Sequence, residues 1–364
     1  MMQLRDICAK ASSNIIQKDL ENCDGVYPIF GASGLIKYVN FFQQEEPYVA
    51  VVKDGAGVGR VMQLPAKSSV IGTMQYIIPN KGINVQYLAF AMEHMNLAKY
   101  CTGATIPHIY FKDYSKETLL AHNVDEQVHI AAVLDKLSNL ISHRKQQLAK
   151  LDELVKARFV EMFGDLICNC DRWEICEVGT VADTIDPHPS HRTPPFSIDG
   201  IPYVGIAECN YQTRCIDYET ARKVEKSVLQ EHLERYTIDN GDFIIGKIGT
   251  IGKPFFVSPI QNYALSANTI LIKPRKTKII PQFLFSFFES DYMDRIINLE
   301  KKSTSQAAFG IQKVRKIEIP LPPLEIQNQF DSFVQTIDKS KLTIQQSLDK
   351  MEVLKESLMQ EYFG

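Results

Sequence analysis

Gln146-Gln147-Leu148-Ala149-Lys150-Leu151-Asp152-Glu153-Leu154 returns 200 residues later as Gln346-Ser347-Leu348-Asp349-Lys350-Met351-Glu352-Val353-Leu354. Glu161-Met162-Phe163-Gly164 likewise returns as Glu361-Tyr362-Phe363-Gly364. Solenoid units have periods of a few tens of residues, so this period marks duplication of a domain together with a helix. Two copies in one chain give an approximate two-fold without a second subunit. Such symmetry suits a partner that is itself two-fold, such as a DNA duplex.

The repeated tail has a heptad pattern. Alternating steps of four and three pick out Ile130, Leu134, Leu137, Ile141, Arg144, Leu148, Leu151, Val155, Arg158 and Met162, of which eight are apolar. The same steps later pick out Phe330, Val334, Ile337, Lys341, Ile344, Leu348, Met351, Lys355, Leu358 and Tyr362, again with eight apolar. A seam sustained over more than four heptads predicts two long helices paired as a coiled coil. A helix packed only on its own domain would show a broader stripe. Taken over 130–162, such a helix runs roughly 50 Å at ~1.5 Å per residue. That spans on the order of 15 base pairs at ~3.4 Å each, and wide domains at its ends would leave an unread gap of only several.

The segments before the helices are β-rich. Tyr48-Val49-Ala50-Val51-Val52, Phe243-Ile244-Ile245 and Thr269-Ile270-Leu271-Ile272 are separated by Gly, Asn, Asp and Pro turns. The predicted fold is therefore α+β, with a mixed, mostly β domain at 1–121, a helix at 122–165, a second domain at 166–322 and a second helix at 323–364. Val58-Gly59-Arg60 aligns with Ile251-Gly252-Lys253, and Gln86-Tyr87-Leu88 with Gln282-Phe283-Leu284. The helices are near copies and the domains have diverged, which suits one frame carrying two different readers.

At 364 residues the chain has room for two cored domains, and 45% hydrophobic with 23% charged residues is ordinary for a globular protein. The N-terminus lacks the basic and apolar regions of a signal peptide. Phe283-Leu284-Phe285-Ser286-Phe287-Phe288 is too short to span a bilayer. Eight irregularly spaced cysteines fit reduced thiols, so a cytoplasmic location is expected. Net charge is −3, without the basic excess of a free-standing nucleic-acid binder. Any positive surface must be local or shared with partners.

Three enzyme-like patterns fail on chemistry. Tyr48 to Gly59 looks like a strand entering a nucleotide-binding glycine loop, but Arg60-Val61-Met62-Gln63-Leu64-Pro65 follows as an alternating strand, which predicts a hairpin. Gly246 to Lys253 has Pro254 where a phosphate-binding loop needs Ser or Thr. Thr193-Pro194-Pro195-Phe196 resembles an amino-methyltransferase motif, yet Thr lacks the carbonyl oxygen that accepts from the target amine. The spacing of Cys168, Cys170 and Cys176 is poor for zinc, so no metal site is expected. Thr102-Gly103-Ala104-Thr105-Ile106-Pro107-His108 and its counterpart Lys301-Lys302-Ser303-Thr304-Ser305-Gln306 are predicted loops with donors suited to phosphates and base edges.

Two variable β-rich domains, each followed by a near-identical helix, resemble the specificity subunit of type I restriction-modification systems over essentially the whole chain. Tyr27-Pro28-Ile29-Phe30-Gly31-Ala32-Ser33-Gly34 and Ala267-Asn268-Thr269-Ile270-Leu271-Ile272-Lys273-Pro274 carry the likeness in the domains. Ile319-Pro320-Leu321-Pro322-Pro323-Leu324-Glu325-Ile326-Gln327 carries it at a domain-to-helix junction. The first junction, Leu119-Leu120-Ala121-His122-Asn123-Val124-Asp125-Glu126-Gln127, keeps only the acid and the glutamine.

The resemblance implies a non-catalytic chain in which each domain reads half of a split DNA target through the major groove. The helices would form an antiparallel spacer with a seam of Leu134, Leu137, Ile141, Leu148, Leu151, Val155, Val334, Ile337, Ile344, Leu348, Met351 and Leu358. Two methyltransferase subunits would dock and flip the adenine, and two motor-nuclease subunits could join. S-adenosylmethionine, ATP and Mg would sit on those partners, with no cofactor on this chain and no membrane partner. The DNA-contact candidates are Lys53, Arg60, Thr105 and His108 in the first domain, and Lys247, Lys253, Ser303, Thr304, Ser305 and Gln306 in the second. The competing readings are a coiled-coil protein scaffold and an unrecognised DNA-modifying enzyme.

Overall fold

The structure, a computed structural model, describes residues 1–103, 105–164, 172–188, 193–211, 213–260, 262–303 and 309–364, with 300–303 described by backbone alone. Two helices of 40 residues each, Val124–Phe163 and Leu324–Phe363, dominate it. Each is about 60 Å long. The first opens with a capping box, the Glu126 amide donating to Asn123 Oδ1 and the Asn123 amide to Glu126 Oε2. Pro322 and Pro323 precede the second.

The two main sheets of each β-rich part repeat strand for strand. In the first, Cys8–Ser12, Met74–Pro79, Tyr48–Val52 and Val61–Leu64 form an antiparallel sheet in that spatial order. Its counterpart is Ala182–Ile185, Thr269–Pro274, Phe243–Gly246 and Pro254–Phe256. A second sheet places Tyr27–Gly31 between Gly34–Val39, antiparallel, and Ser69–Val70, parallel. Phe196–Val204 sits in the same way between Lys223–Val224 and Ala264–Leu265. The continuous apolar run Tyr48–Val52 follows from burial on both faces. Val49 and Val51 enter one core, while Tyr48, Ala50 and Val52 enter another. The Tyr48–Val52/Val61–Leu64 pair is the predicted hairpin.

The junction glutamines explain the family-like motif. Buried Gln327 accepts from the Ile280 amide at 2.8 Å and donates to the Pro322 carbonyl at 2.7 Å. Buried Gln127 accepts from the Asn84 amide and donates to the His122 carbonyl, both at 3.0 Å. Ile280 and Asn84 precede equivalent helices, Pro281–Phe288 and Val85–His94. Each glutamine thus ties a long helix to a short helix of its own domain. Leaving a buried backbone group unpaired costs ~1–3 kcal/mol. Gln327→Ala and Gln127→Ala should each lower stability by about that amount, read as a shift of the denaturant midpoint at unchanged slope.

By contacts the chain divides into two compact units, one of residues 1–147 with 343–364 and one of 148–342. Each contains one β-rich domain and a half of each long helix. In the second unit, Phe159 and Phe163 pack with Phe283 and Phe330, with ring centroids 4.7–5.6 Å apart. In the first unit, Met359 and Phe363 join the core of Tyr87, Ile130 and Leu134. The repeated Phe-Gly ending is therefore a plug that fills a domain core.

All twelve seam residues are buried or half-buried. The helix ends depart from the seam expectation, because Ala131, Phe159, Phe163, Met359 and Phe363 widen the stripe to cover a domain. Helix contacts within each unit run in opposite directions along the chain. Ile130 and Leu134 share a core with Met359 and Phe363, whereas Lys145 pairs with Glu352 at 2.7 Å. In the other unit Phe163 meets Phe330 and Asp152 pairs with Lys341. The seam lysines are thus paired at their ends: Lys341 with Asp152, and Lys355 with Glu93 at 3.5 Å.

Candidate nucleic-acid interface

The glycine loops occupy the same backbone frame in both domains. In the first, the Gly59 amide returns to the Val52 carbonyl at 2.8 Å, Lys53 donates its amide to Thr73, and Ile109 donates to the Lys53 carbonyl. In the second, Gly252 returns to Gly246 at 2.9 Å, Lys247 donates to Asn268, and Phe309 donates to the Lys247 carbonyl. Gly59 (φ +87°) and Gly252 (φ +74°) are left-handed, and an added Cβ would lie 2.5 Å from the Ala98 nitrogen or 2.3 Å from Ile297 Cδ1. These glycines serve a tight turn and a close approach, not a phosphate.

In the first domain, the backbone brings the Lys53–Asp54 end of the strand and His108 together. Gly55 donates to the Pro107 carbonyl at 2.8 Å, and Thr102 and His108 exchange main-chain bonds at 2.9 Å. Thr105 is exposed, and the half-buried His108 ring stands edge-on to Tyr110. The segment after this loop is a short helix, Phe111–Tyr114, and the strand Thr118–Leu119 follows it. Lys53 is paired with Asp54 at 2.5 Å, while Arg60 turns to the Ala32 carbonyl at 2.8 Å.

The second loop differs in charge. Lys247 is bonded to Asp186 at 3.0 Å, with the two side chains 13% and 15% exposed. That pair ties the Lys247 ammonium to a carboxylate of its own domain. Lys253 is exposed, with Nζ 3.8 Å from the Tyr211 ring centroid. Ser303 ends the helix Asp291–Ser303, so residues 301–303 are helical where a loop was expected. Thr304, Ser305 and Gln306 lie outside the described residues.

The histidines include one close pair that sequence spacing hides. His188 Nδ1 lies 3.2 Å from His232 Nε2, and the Tyr236 hydroxyl lies 2.9 Å from His232 Nδ1. Burial, with His188 alongside, lowers His232 to about 4, so its ring is neutral at pH 7. Among the described residues no group of three or more His, Cys, Asp or Glu is placed to hold a metal. Cys168 and Cys170 lie outside the described residues. No helix among the described residues is long and apolar enough to cross a membrane.

A family model described as the type I restriction modification DNA specificity domain matches residues 1–153 and 176–353. The chain belongs to that family. Among relatives of this specificity-domain chain is a Haemophilus influenzae protein described as a type I restriction enzyme specificity subunit. It is 20% identical over 92% of this chain and 88% of its own length. A crystal structure of the type I restriction-modification system S subunit from M. genitalium shares the fold, with a TM-score of 0.63 at 14% identity over 100% of this chain and 95% of that one. A chain from a study of complex assembly and conformational transition in the type I R-M system gives 0.55 at 14% identity, over 99% and 96%.

Sequence reasoning missed one feature of this specificity-domain chain. The second domain carries a hairpin, Cys209–Asn210 against Cys215–Ile216, between strands that in the first domain join by a tight turn. Its tip holds Tyr211 and Arg214. The predicted bounds, 1–121 and 166–322, make the second domain the longer, but that difference assigns the insertion no role.

Proposed function

We propose that the chain is the DNA-reading, non-catalytic subunit of a type I restriction-modification complex in the cytoplasm. Domains 1–121 and 166–322 each read half of a bipartite target, and the two long helices form an antiparallel coiled-coil spacer between them. Two methyltransferase subunits dock on this frame, and two motor-nuclease subunits can join them. S-adenosylmethionine, ATP and Mg belong to those partners, and this chain binds no cofactor. The observation that carries the reading is the repetition of one backbone frame around two chemically different loops. Identical frames with different side chains suit two half-sites of different sequence.

Lys53, Arg60, Thr105 and His108 contact the first half-site in this reading, and Lys253 with the 303–306 segment the second. Replacing Thr105 and His108 by Ala should relax recognition of the first half only, and Lys253→Ala that of the second only. A lost base contact reduces discrimination by ~1–3 kcal/mol, whereas a lost phosphate contact weakens all sequences alike. Methylation of target libraries randomised in one half at a time separates the two. Equal weakening on every sequence would reduce these residues to phosphate anchors. Methylome sequencing of a host with and without the gene tests the function itself: loss of one bipartite modified motif is expected.

A further inference from the structure

We propose that the hairpin Cys209–Ile216 is a strut holding the second glycine loop in register with the long helices, with Arg214 as its anchoring, positioning residue. This rests on the DNA-reading function above. At one side of the tip, Tyr211 packs edge-on against Phe255 at 5.4 Å, and its ring lies beneath the Lys253 ammonium at 3.8 Å. The Tyr211 hydroxyl also reaches the Lys253 carbonyl at 3.5 Å. At the other side, Arg214 Nη1 lies 3.3 Å from Asp338 and Nη2 3.8 Å from Asp152. Asp338 lies on the second long helix and Asp152 on the first.

The anchor is a network. Lys341 pairs with the same Asp152 and lies 3.8 Å from Asp338, so two cations share two carboxylates across the helix pair. Half-buried Glu289, at the end of Pro281–Phe288, feels Arg214 and Lys156 as well. Burial raises its proton affinity, and these cations oppose that. One exposed ion pair contributes little, but several charges sharing partners hold a geometry better. Arg214 adopts φ +54°, rare for a residue with a side chain, and the Thr213 amide donates to Asn210 Oδ1 at 3.0 Å. Tyr211 and Arg214 thus link a loop cation to the two long helices from one end of the same hairpin. The core around Phe283 and Phe330 already joins domain and helices, but the loop that carries Lys253 lies outside that core and could still shift along them. The strut removes that freedom, so its product is discrimination of spacer length rather than of base identity.

The test uses the full chain with its methyltransferase partners and substrates whose unread gap is natural, one base pair shorter or one longer. The unaltered chain should prefer the natural gap at least tenfold. Arg214→Ala should bring that preference within about threefold while base selectivity in the second half-site stays intact. Asp152→Asn with Asp338→Asn, removing the anchor from the helix side, should do the same. Arg214→Lys, which keeps the charge, should retain most of the preference, a rescue that loss of packing alone would not show. Unchanged gap discrimination in both the Arg214→Ala and the helix-side variants would overturn the strut. An unaltered chain that directs methylation to no bipartite site would instead overturn the function on which it rests.

Discussion

Leu348→Asp combined with Leu148→Asp should abolish directed methylation while leaving most secondary structure in place. Leu348 is 4% exposed and Leu148 half-buried, and both sit on the heptad seam. A carboxylate introduced there replaces an apolar contact, and an uncompensated buried charge costs roughly 3–5 kcal/mol. The penalty falls on helix pairing, because each domain core lies at the helix ends. Far-UV circular dichroism should change little, and methylation with the partners should fall to background. Full methylation by the double variant would count decisively against a coiled-coil spacer.

A fragment of residues 166–364 should form a homodimer that, with methyltransferase subunits, modifies a palindrome built from one half-site. The fragment lacks Val155, Phe159 and Phe163, which fill the core around Phe283 and Phe330. Exposing that apolar surface disfavours a monomer. Met359 and Phe363 of a second copy stand at the repeat positions of Phe159 and Phe163 and can plug the same site. Met for Phe is an imperfect fill, and loss of a buried ring costs about 3–5 kcal/mol, so the dimer should be weaker than the intact pairing. Phe363→Ala should then block dimerisation of the fragment. Light scattering showing a well-folded monomer at micromolar concentration would refute the plug exchange, as would methylation confined to the asymmetric parent site.

The sequence by itself determined the duplication, the two long helices, the β-rich domains and the hairpin reading of the glycine loop. All of these rest on local signals: a period of 3.5 residues, alternating or continuous apolar runs, and the proline, glycine and capping residues that end them. The seam could be written down because a helix face is fixed by sequence spacing alone. What only the tertiary structure decided depends on residues far apart in the chain. The Phe-Gly endings were visible as a repeat, but that they plug domain cores follows from where Phe283 and Tyr87 lie. Lys247 reads as an exposed loop cation until Asp186, 61 residues away, is brought to it. The glutamines of the junction motif were visible, but their targets, Asn84 and Ile280, lie more than forty residues upstream. Arg214 carries no signal at all, because its meaning resides in Asp152 and Asp338, two carboxylates 186 residues apart that only the folding of one unit makes neighbours.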